Sequence, residues 1–237
     1  MSGIVFIISA PSGSGKTTLT NEILKLVPDL RFSISYTTRK PRGSEIDGRE
    51  YHFVDRDIFE DIIRRNEFLD YASVFGNYYG TARKFLDEAR SDGKDLLLDI
   101  DVQGAAQVKD RLPDAVSIFV LPPSRIVLEQ RLRNRSQAEN VHSAEIIQRR
   151  LEAAGREIEN YRNYDYILVN EQLEQSINKL KAIVTAERLK RADAPLSSET
   201  AAYCEDAERS RLRNMSNRAE SILASFAAPV VPGGNTR

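Results

Sequence analysis

A β-branched run that breaks into a glycine turn and then into a helix-periodic stretch leaves a chain few ways to fold. Here that sequence stands at the start, as "GIVFIIS" (3–9), "APSGSG" (10–15) and "KTTLTNEILKLV" (16–27). The continuous Ile, Val and Phe run reads as a strand covered on both faces, the pattern of a parallel sheet. Behind it Leu19, Ile23, Leu24 and Val27 recur at helical spacing. A turn of this kind points several backbone N–H groups at one place, with the positive end of the helix behind them, and that place accepts an anion. Lys16 adds a mobile cation and Thr17 a hydroxyl suited to Mg²⁺. Ala10, Pro11, Ser12, Gly13, Ser14, Gly15, Lys16, Thr17 and Thr18 are therefore the expected cradle for the phosphates of a nucleoside triphosphate. The phosphate-loop pattern has glycine at its first position; Ala10 stands there, a residue still small enough for the turn.

Three more apolar runs, "DLLLDID" (95–101), "SIFVL" (117–121) and "YILVN" (166–170), lie beside helical text such as "ARKFLDEARSDG", "SRIVLEQRLRNR" and "EQSINKLKAIVTAERLKR". Strands alternating with helices predict an α/β fold, a parallel sheet flanked by helices. Two stretches interrupt the rhythm. Residues 35–83 are polar and tyrosine-rich, with strand-like "FSISYTT" at their border, a "PRGSEIDGREYHF" turn region, a helical "DIFEDIIRRN" and then "FGNYYGT", and are expected to form an inserted subdomain. Residues 125–156 carry seven arginines, including the terminal one, on two helical pieces around "SQAENVHS" and are expected to form a helical lid. The core is then 1–34, 84–124 and 157–191. Beyond 191 the periodicity weakens toward "AAPVVPGGNTR", which predicts a partly disordered extension, 192–237, that adds nothing to the active site. Its removal is expected to change turnover by no more than a few-fold.

With 41% hydrophobic residues, 29% charged and a net charge of −1, the chain reads as globular, with no overall pull toward nucleic acid or anionic lipid. Neither is expected as a partner. The opening apolar run is too short to cross a membrane and has no basic flank. The single cysteine, Cys204, cannot form an internal disulfide, and His52 and His142 add no metal-ligand cluster, so a cytoplasmic location is expected.

A phosphate loop alone does not say whether a chain hydrolyses, switches or transfers. In "SYTTRKPR", Arg39 and Arg42 sit three apart beside Ser35, Thr37 and Thr38, and guanidinium forks suit a phosphate. The plainer reading is a solvated charge run. Tyr51, Tyr78 and Tyr79 offer hydroxyls and a stacking face for a base, or simply core packing.

Taken together, "SGSGKT", "SYTTRKPRGSEIDGREYHF", "FGNYYGT" and "LLLDIDVQG" resemble the guanylate kinase family, over about Ile4 to Arg191. The resemblance implies transfer of the γ-phosphoryl of ATP to GMP, a phosphate-loop core, a GMP-binding insert, an arginine-bearing lid and a need for Mg²⁺, with Thr17 as its ligand. It places Ser35, Arg39, Arg42, Tyr51, Asp70, Tyr79 and Thr81 where the family holds GMP, with Arg39, Arg42, Tyr51 and Tyr79 on the phosphate. Asp99 falls where the family has an acidic residue at the nucleotide site. Asn170 falls beside the adenine, or else caps a turn.

The chemistry of the base agrees with that implication. Guanine presents N1–H and an amino group side by side, so one carboxylate accepts from both, whereas adenine's N1 repels it. Asp70 or Glu67 supplies that carboxylate; the family usually has glutamate in place of Asp70, which shortens the reach by one methylene. Arg131 and Arg135 lie one helical turn apart and can point together at phosphates, while the resemblance favours Arg150 over Arg149 on the returning helix. Lys16, Arg39, Arg131, Arg135 and Arg150 form the expected catalytic set, and Arg133 and Arg156 read as solvated. His52 is read as packed or exposed, because a phosphate that is already anionic needs no strong base. Two rivals stand beside this reading: a kinase for another small phosphorylated substrate, and a non-catalytic guanylate-kinase-like module that holds phosphopeptides. Base-edge residues argue against the first; Lys16, Thr17, Asp99 and the lid arginines argue against the second. A homo-oligomer is compatible with every reading.

Overall fold

Buried runs become strands, and the polar stretches between them build a second sheet. The structure, a computed structural model, describes residues 3–74, 76–138, 144–193 and 197–227. In chain order the first elements are β1 (Val5–Ser9), α1 (Lys16–Leu26), β2 (Leu30–Phe32), β3 (Tyr36–Thr37), β4 (His52–Phe53), α2 (Arg56–Arg64), β5 (Phe68–Val74), β6 (Asn77–Ala82) and α3 (Lys84–Ser91). There follow β7 (Asp95–Asp99), α4 (Val102–Arg111), β8 (Val116–Leu121), α5 (Arg125–Ala138), α6 (Ala144–Ile158), a 3₁₀ turn (Glu159–Asn163), β9 (Tyr166–Val169), α7 (Leu173–Ala192), α8 (Ser198–Arg209) and α9 (Leu212–Ala227). The polar stretch 139–143, with His142, and the tail from 228 onward lie outside the described residues. No helix among the described residues is long and apolar enough to cross a membrane.

The main sheet is parallel, in the order β2-β7-β1-β8-β9. The period of two hidden in the apolar run of β1 divides its side chains between two layers. Val5 and Ile7 join Leu96, Leu98, Phe119 and Ile167 on one side, and Phe6 and Ile8 join Leu19, Ile23, Leu180 and Ile183 on the other. The loop after β1 therefore leaves the carboxyl end of a strand buried on both faces, the position where open α/β sheets bind ligands.

The strand-like "FSISYTT" is divided between two sheets, since Phe32 ends β2 and Tyr36 begins β3. The second sheet has the order β4-β3-β6-β5. Its β3–β4 pair is parallel, while β3–β6 and β5–β6 are antiparallel. A register shift decides what its faces hold: Phe68 opposes Ala82, yet Asp70 opposes Thr81, so Leu69 is an extra residue. Strict alternation puts residues two apart on one face; the bulge sends Phe68 and Asp70 to opposite faces. Phe68, Tyr78 and Tyr36 thus pack on Phe59 and Phe85, while Asp70, Tyr79 and Thr81 share the other face. Helix α4 of the core is tied to β5, because Gln107 Nε2 donates to Tyr71 O at 2.8 Å and Gln107 Oε1 accepts the Tyr71 N–H at 3.2 Å. Arg111 donates to Phe68 O at 3.2 Å and also contacts Leu69 O.

The extension departs from the expectation of a loosely packed end. Ser197 and Thr200 form a capping box at the start of α8. The turn before α9 then runs along the outer edge of β9, with Ile167 N–H donating to Ser210 O at 2.8 Å and Leu212 N–H to Asp165 O at 3.1 Å. Ala219 and Ile222 of α9 are fully buried in the main core. The periodicity was present but diluted: Leu212, Met215, Ala219, Ile222 and Phe226 lie on one helical stripe, among alanines, serines and charges that weaken its contrast.

Candidate active site

The phosphate loop is a tight turn in which Ser14 N–H donates to Pro11 O at 3.1 Å and Gly13 adopts φ +90°. A side chain at Gly13 would strain the backbone and stand 3.0 Å from Leu128 and Leu132 of α5. Helix α1 begins at Lys16, and its first N–H groups have no carbonyl one turn back, so they serve whatever the loop encloses. Asn170 and Arg131 clamp the loop from behind. Ser14 O accepts from Asn170 Nδ2 at 2.8 Å and from Arg131 at 3.4 Å, and Arg131 donates to Asn170 O at 2.9 Å. Asn170, expected beside the base or as a turn cap, thus has its amide nitrogen on the loop. Ser12, Thr17 and Thr18 are exposed. Lys16 Nζ pairs with Asp99 and donates to Ile100 O at 3.3 Å, both at the end of β7.

On the second sheet, Arg39 is only 9% exposed and grips Glu45 with both terminal nitrogens, at 2.8 and 3.0 Å. The hydrogen bonds to Glu45 hold the guanidinium above its usual value, and Arg39 holds the Glu45 carboxyl below the ordinary carboxylate range. Glu45 also accepts the Arg42 N–H at 2.8 Å, so one carboxylate orients both arginine positions while the Arg42 side chain remains exposed. The Arg39 guanidinium lies 5.3 Å from the Tyr51 ring, and Tyr51 meets Tyr79 edge-on at 5.8 Å. Burial, then the nearby Asp99 charge, raises the Tyr51 hydroxyl above its ordinary value. Asp99 therefore stands between Lys16 on the phosphate-loop side and Tyr51 on the arginine side. Ser35 is half-buried and its carbonyl accepts from His52 N–H at 2.9 Å. Tyr78 turns away and stacks on Phe59 at 5.2 Å. His52 stacks on Phe85 at 5.8 Å, and burial, then Lys84, lowers its pKa, as befits a packed side chain.

Asp70 is 4% exposed, and its Oδ1 and the Thr81 hydroxyl are buried without a well-aligned hydrogen bond among the described residues. Asp101, which was not singled out in the sequence, closes the same corner: it caps α4 by accepting the Gly104 N–H at 2.8 Å. There is no room for a side chain at Gly104, where a Cβ would collide with Asp70 Oδ2. Glu67, the alternative base-reading carboxylate, is exposed and faces Arg65 at 3.4 Å. Burial pushes the Asp70 carboxyl up to about 6, with Thr81 acting in the opposite direction and Asp101 adding to the rise.

A carboxyl whose folded value exceeds its unfolded one favours the fold while protonated. That contribution is present below about pH 4 and is lost as pH rises through about 6. The N–H donors of a guanine edge instead select the ionised form. Guanosine, which has no phosphate titrating in this range, is therefore expected to bind about tenfold more weakly per unit below pH 6. Calorimetry across that range measures this, with Asp70→Asn giving a flat profile. A pH-independent affinity in the unaltered chain rules out ionised Asp70 as the acceptor.

Helices α5 and α6 pack through Leu128, Leu132, Ile147, Leu151 and Ala154. Arg131 sits against the loop, and burial draws its pKa down from the usual value. Arg135 is exposed on the next turn, Arg150 is half-buried on α6, and Arg149 is exposed. Arg133 pairs along its own helix with Glu129 at 2.6 Å, and Arg156 is exposed. Glu157, also not singled out in the sequence, follows Arg150 by two helical turns on the same face. Burial pushes its carboxyl up to about 7, with nearby Lys16 lowering it and Asp101 raising it, which places it at the junction of the loop and the Asp101 corner. A seven-residue spacing from Arg150 was the one signal for it.

A family model described as "Guanylate kinase" matches residues 3–187. A guanylate kinase of Koribacter versatilis (strain Ellin345) is 56% identical over 226 residues, 95% of this chain and 97% of that protein, a span that takes in the C-terminal helices. The guanylate kinase of Escherichia coli (strain K12) is 46% identical over 190 residues, 79% of this chain and 90% of that one. Among solved structures, a guanylate kinase from Anaplasma phagocytophilum aligns with a TM-score of 0.63 at 34% identity, covering 78% of this chain and 86% of that one.

Proposed function

The chain belongs to the guanylate kinase family, and on that premise we propose how its own residues divide the work of moving the γ-phosphoryl group of ATP to GMP. As a nucleoside monophosphate kinase it converts ATP and GMP to ADP and GDP. A phosphate oxygen of GMP attacks the γ-phosphorus in line, the bond to the β–γ bridging oxygen breaks, and ADP leaves. Little covalent chemistry is asked of the protein, so its contribution is positioning and charge.

The observation that carries the GMP assignment is the corner formed by Asp70 and Thr81: a buried carboxylate oxygen and a buried hydroxyl that lack a well-aligned hydrogen-bond partner among the described residues. Guanine matches both, with N1–H and the amino group toward Asp70 and O6 toward the Thr81 hydroxyl; adenine inverts the pattern. The fork of Arg39, held by Glu45, with Arg42, Tyr51 and Tyr79, receives the GMP phosphate, and Ser35 belongs with the residues that hold GMP. Ala10 to Thr18 cradle the ATP phosphates, and Lys16, beside Asp99, reaches across to the transferring group. Arg131, Arg135 and Arg150 neutralise its equatorial oxygens, and closure of 125–156 excludes water, the competing acceptor.

Mg²⁺ fits this donor set. The Thr17 hydroxyl is exposed at the second position of α1, and no group of three or more His, Cys, Asp or Glu side chains among the described residues builds a protein cage. Mg²⁺ seldom uses an all-protein cage, and the Thr17 hydroxyl of the phosphate loop would hold it here together with the ATP phosphates. When bound, Mg²⁺ would supply charge neutralisation to the ATP phosphates. A cytoplasmic setting, where ATP and GMP are both present, suits the reading. Mg²⁺-dependent ADP release measured with GMP, AMP, dTMP and UMP side by side tests it. GMP is expected to dominate, and equal turnover of AMP and GMP defeats the assignment.

A further inference from the structure

The family match ends at residue 187, yet α9, well beyond it, ends on the lid. Ser225 Oγ accepts the N–H of Arg125 at 3.1 Å, at the first residue of α5, where a helix leaves its donors without internal partners. The Ser225 hydroxyl donates to Ile222 O at 2.6 Å, which commits its proton and leaves its lone pairs for Arg125. Ser124 Oγ meanwhile accepts the Val127 N–H at 3.3 Å, so one hydroxyl from each segment caps the start of α5. Phe226 packs on the cluster of Leu128, Leu132, Ile147, Leu151 and Ala154.

The rest of α9 is rooted in the core. Ala219 and Ile222 are buried there, Glu220 accepts from Arg162 at 3.2 Å, and Arg218 pairs with Glu171 at 3.0 Å. On the far side of the lid cluster, Leu128 and Leu132 stand against Gly13, and Arg131 holds Ser14 O and Asn170 O. A continuous line of packed groups thus runs from the edge of the core, through α9 and α5, to the phosphate loop.

We propose that α9 positions helix α5, and through it Arg131 and the phosphate loop, with Ser225 and Phe226 as positioning residues for the ATP side of the reaction. The inference rests on the reading of 125–156 as the segment that presents arginines to phosphate. If α5 is freed at its start, only a fraction of molecules holds the loop and Arg131 in the competent arrangement, and the apparent ATP affinity falls by that fraction. Among the described residues Asp70, Thr81 and Arg39 form no hydrogen bond or ion pair with α9, so GMP binding is expected to be spared.

The test uses the full-length chain with Ser225→Ala and Phe226→Ala, singly and together. Steady-state kinetics in both substrates are combined with hydrogen exchange over α5. The double variant is expected to raise the KM for ATP roughly 5- to 20-fold, with the KM for GMP within about twofold, and to speed exchange in α5 while β8 and β9 stay protected. Ser225→Thr and Phe226→Leu are expected to restore most of the loss. A lowered melting temperature with an unchanged KM for ATP and unchanged α5 exchange means that α9 only stabilises the fold, and overturns the proposal. If the double variant does not fold, Ser225→Ala alone gives the deciding KM ratio. Arg135→Ala separates the two readings. A loss there with no effect of the α9 variants defeats the positioning role; no loss there, with a raised KM for ATP in the α9 variants, defeats the lid reading and leaves the coupling to the loop intact.

Discussion

Lys16→Ala lowers the conversion of ATP and GMP by roughly a thousandfold or more, the expected cost of removing a cation from the path of a transferring phosphoryl group. The large effect follows from where the charge sits. Lys16 begins the helix behind the loop, and its ammonium group lies beside Asp99, at the end of the neighbouring strand and facing Tyr51 of the arginine side. Among the described residues no other lysine pairs with Asp99. The fold is expected to survive, because the side chain pairs with Asp99, which is partly exposed, and with the Ile100 carbonyl, and belongs to none of the hydrophobic clusters of the core. Kinetics and thermal unfolding measured on the same preparation check both halves. Near-normal turnover in a folded variant shows that the loop does not hold the reacting phosphates.

Asp70→Asn is expected to cost roughly 2 to 4 kcal/mol in transition-state binding of GMP, the range for mispairing a buried polar group. The amide removes a charge and replaces one acceptor with a donor, which then faces the donors of guanine. Solvent cannot relieve the mismatch at a site only 4% exposed. Asp70→Glu, which restores the residue usual in the family, keeps the preference for GMP over AMP. Its extra methylene meets Gly104, already packed against the carboxylate, so a modest overpacking cost of about 1 kcal/mol accompanies it. Rates for GMP and AMP on both variants separate the outcomes. If Asp70→Asn keeps full kcat/KM and its base preference, Asp70 does not read guanine, and the exposed Glu67 becomes the residue to alter.

What the sequence disclosed follows from how local each feature is. The phosphate loop was legible because its strand, glycines, lysine and helix are contiguous, and backbone geometry alone makes such a segment attract an anion. The parallel sheet was legible for a similar reason, since strands buried on both faces leave unbroken apolar runs. Asp70 was found through a family resemblance and the edge chemistry of guanine, but its orientation was not readable. Alternation puts it on the face of Phe68, and only the extra residue at Leu69 turns it toward Thr81. Asp101 closes a strand-like run and Glu157 lies in ordinary helical text; their significance comes from their places beside Asp70 and Lys16, which is a tertiary property. The docking of α9 was missed because alanine and serine blur a helical stripe that depends on only a few large apolar residues.

The tie between Gln107 and Tyr71 has a consequence beyond joining two parts of the chain. Strand β5 is the last in its sheet, and an unfinished border of that kind offers free main-chain donors and acceptors to any extended segment that drifts against it. Gln107 answers one N–H and one C=O of the same residue, the two bonds a neighbouring strand would make, and Arg111 occupies the carbonyls of Phe68 and Leu69. Side chains of a helix thereby occupy the first half of that border, from Phe68 to Tyr71, without another strand being added to it. A surface that would invite strand exchange between molecules, and with it aggregation at high concentration, is shortened by the same helix whose first turn lies against Asp70.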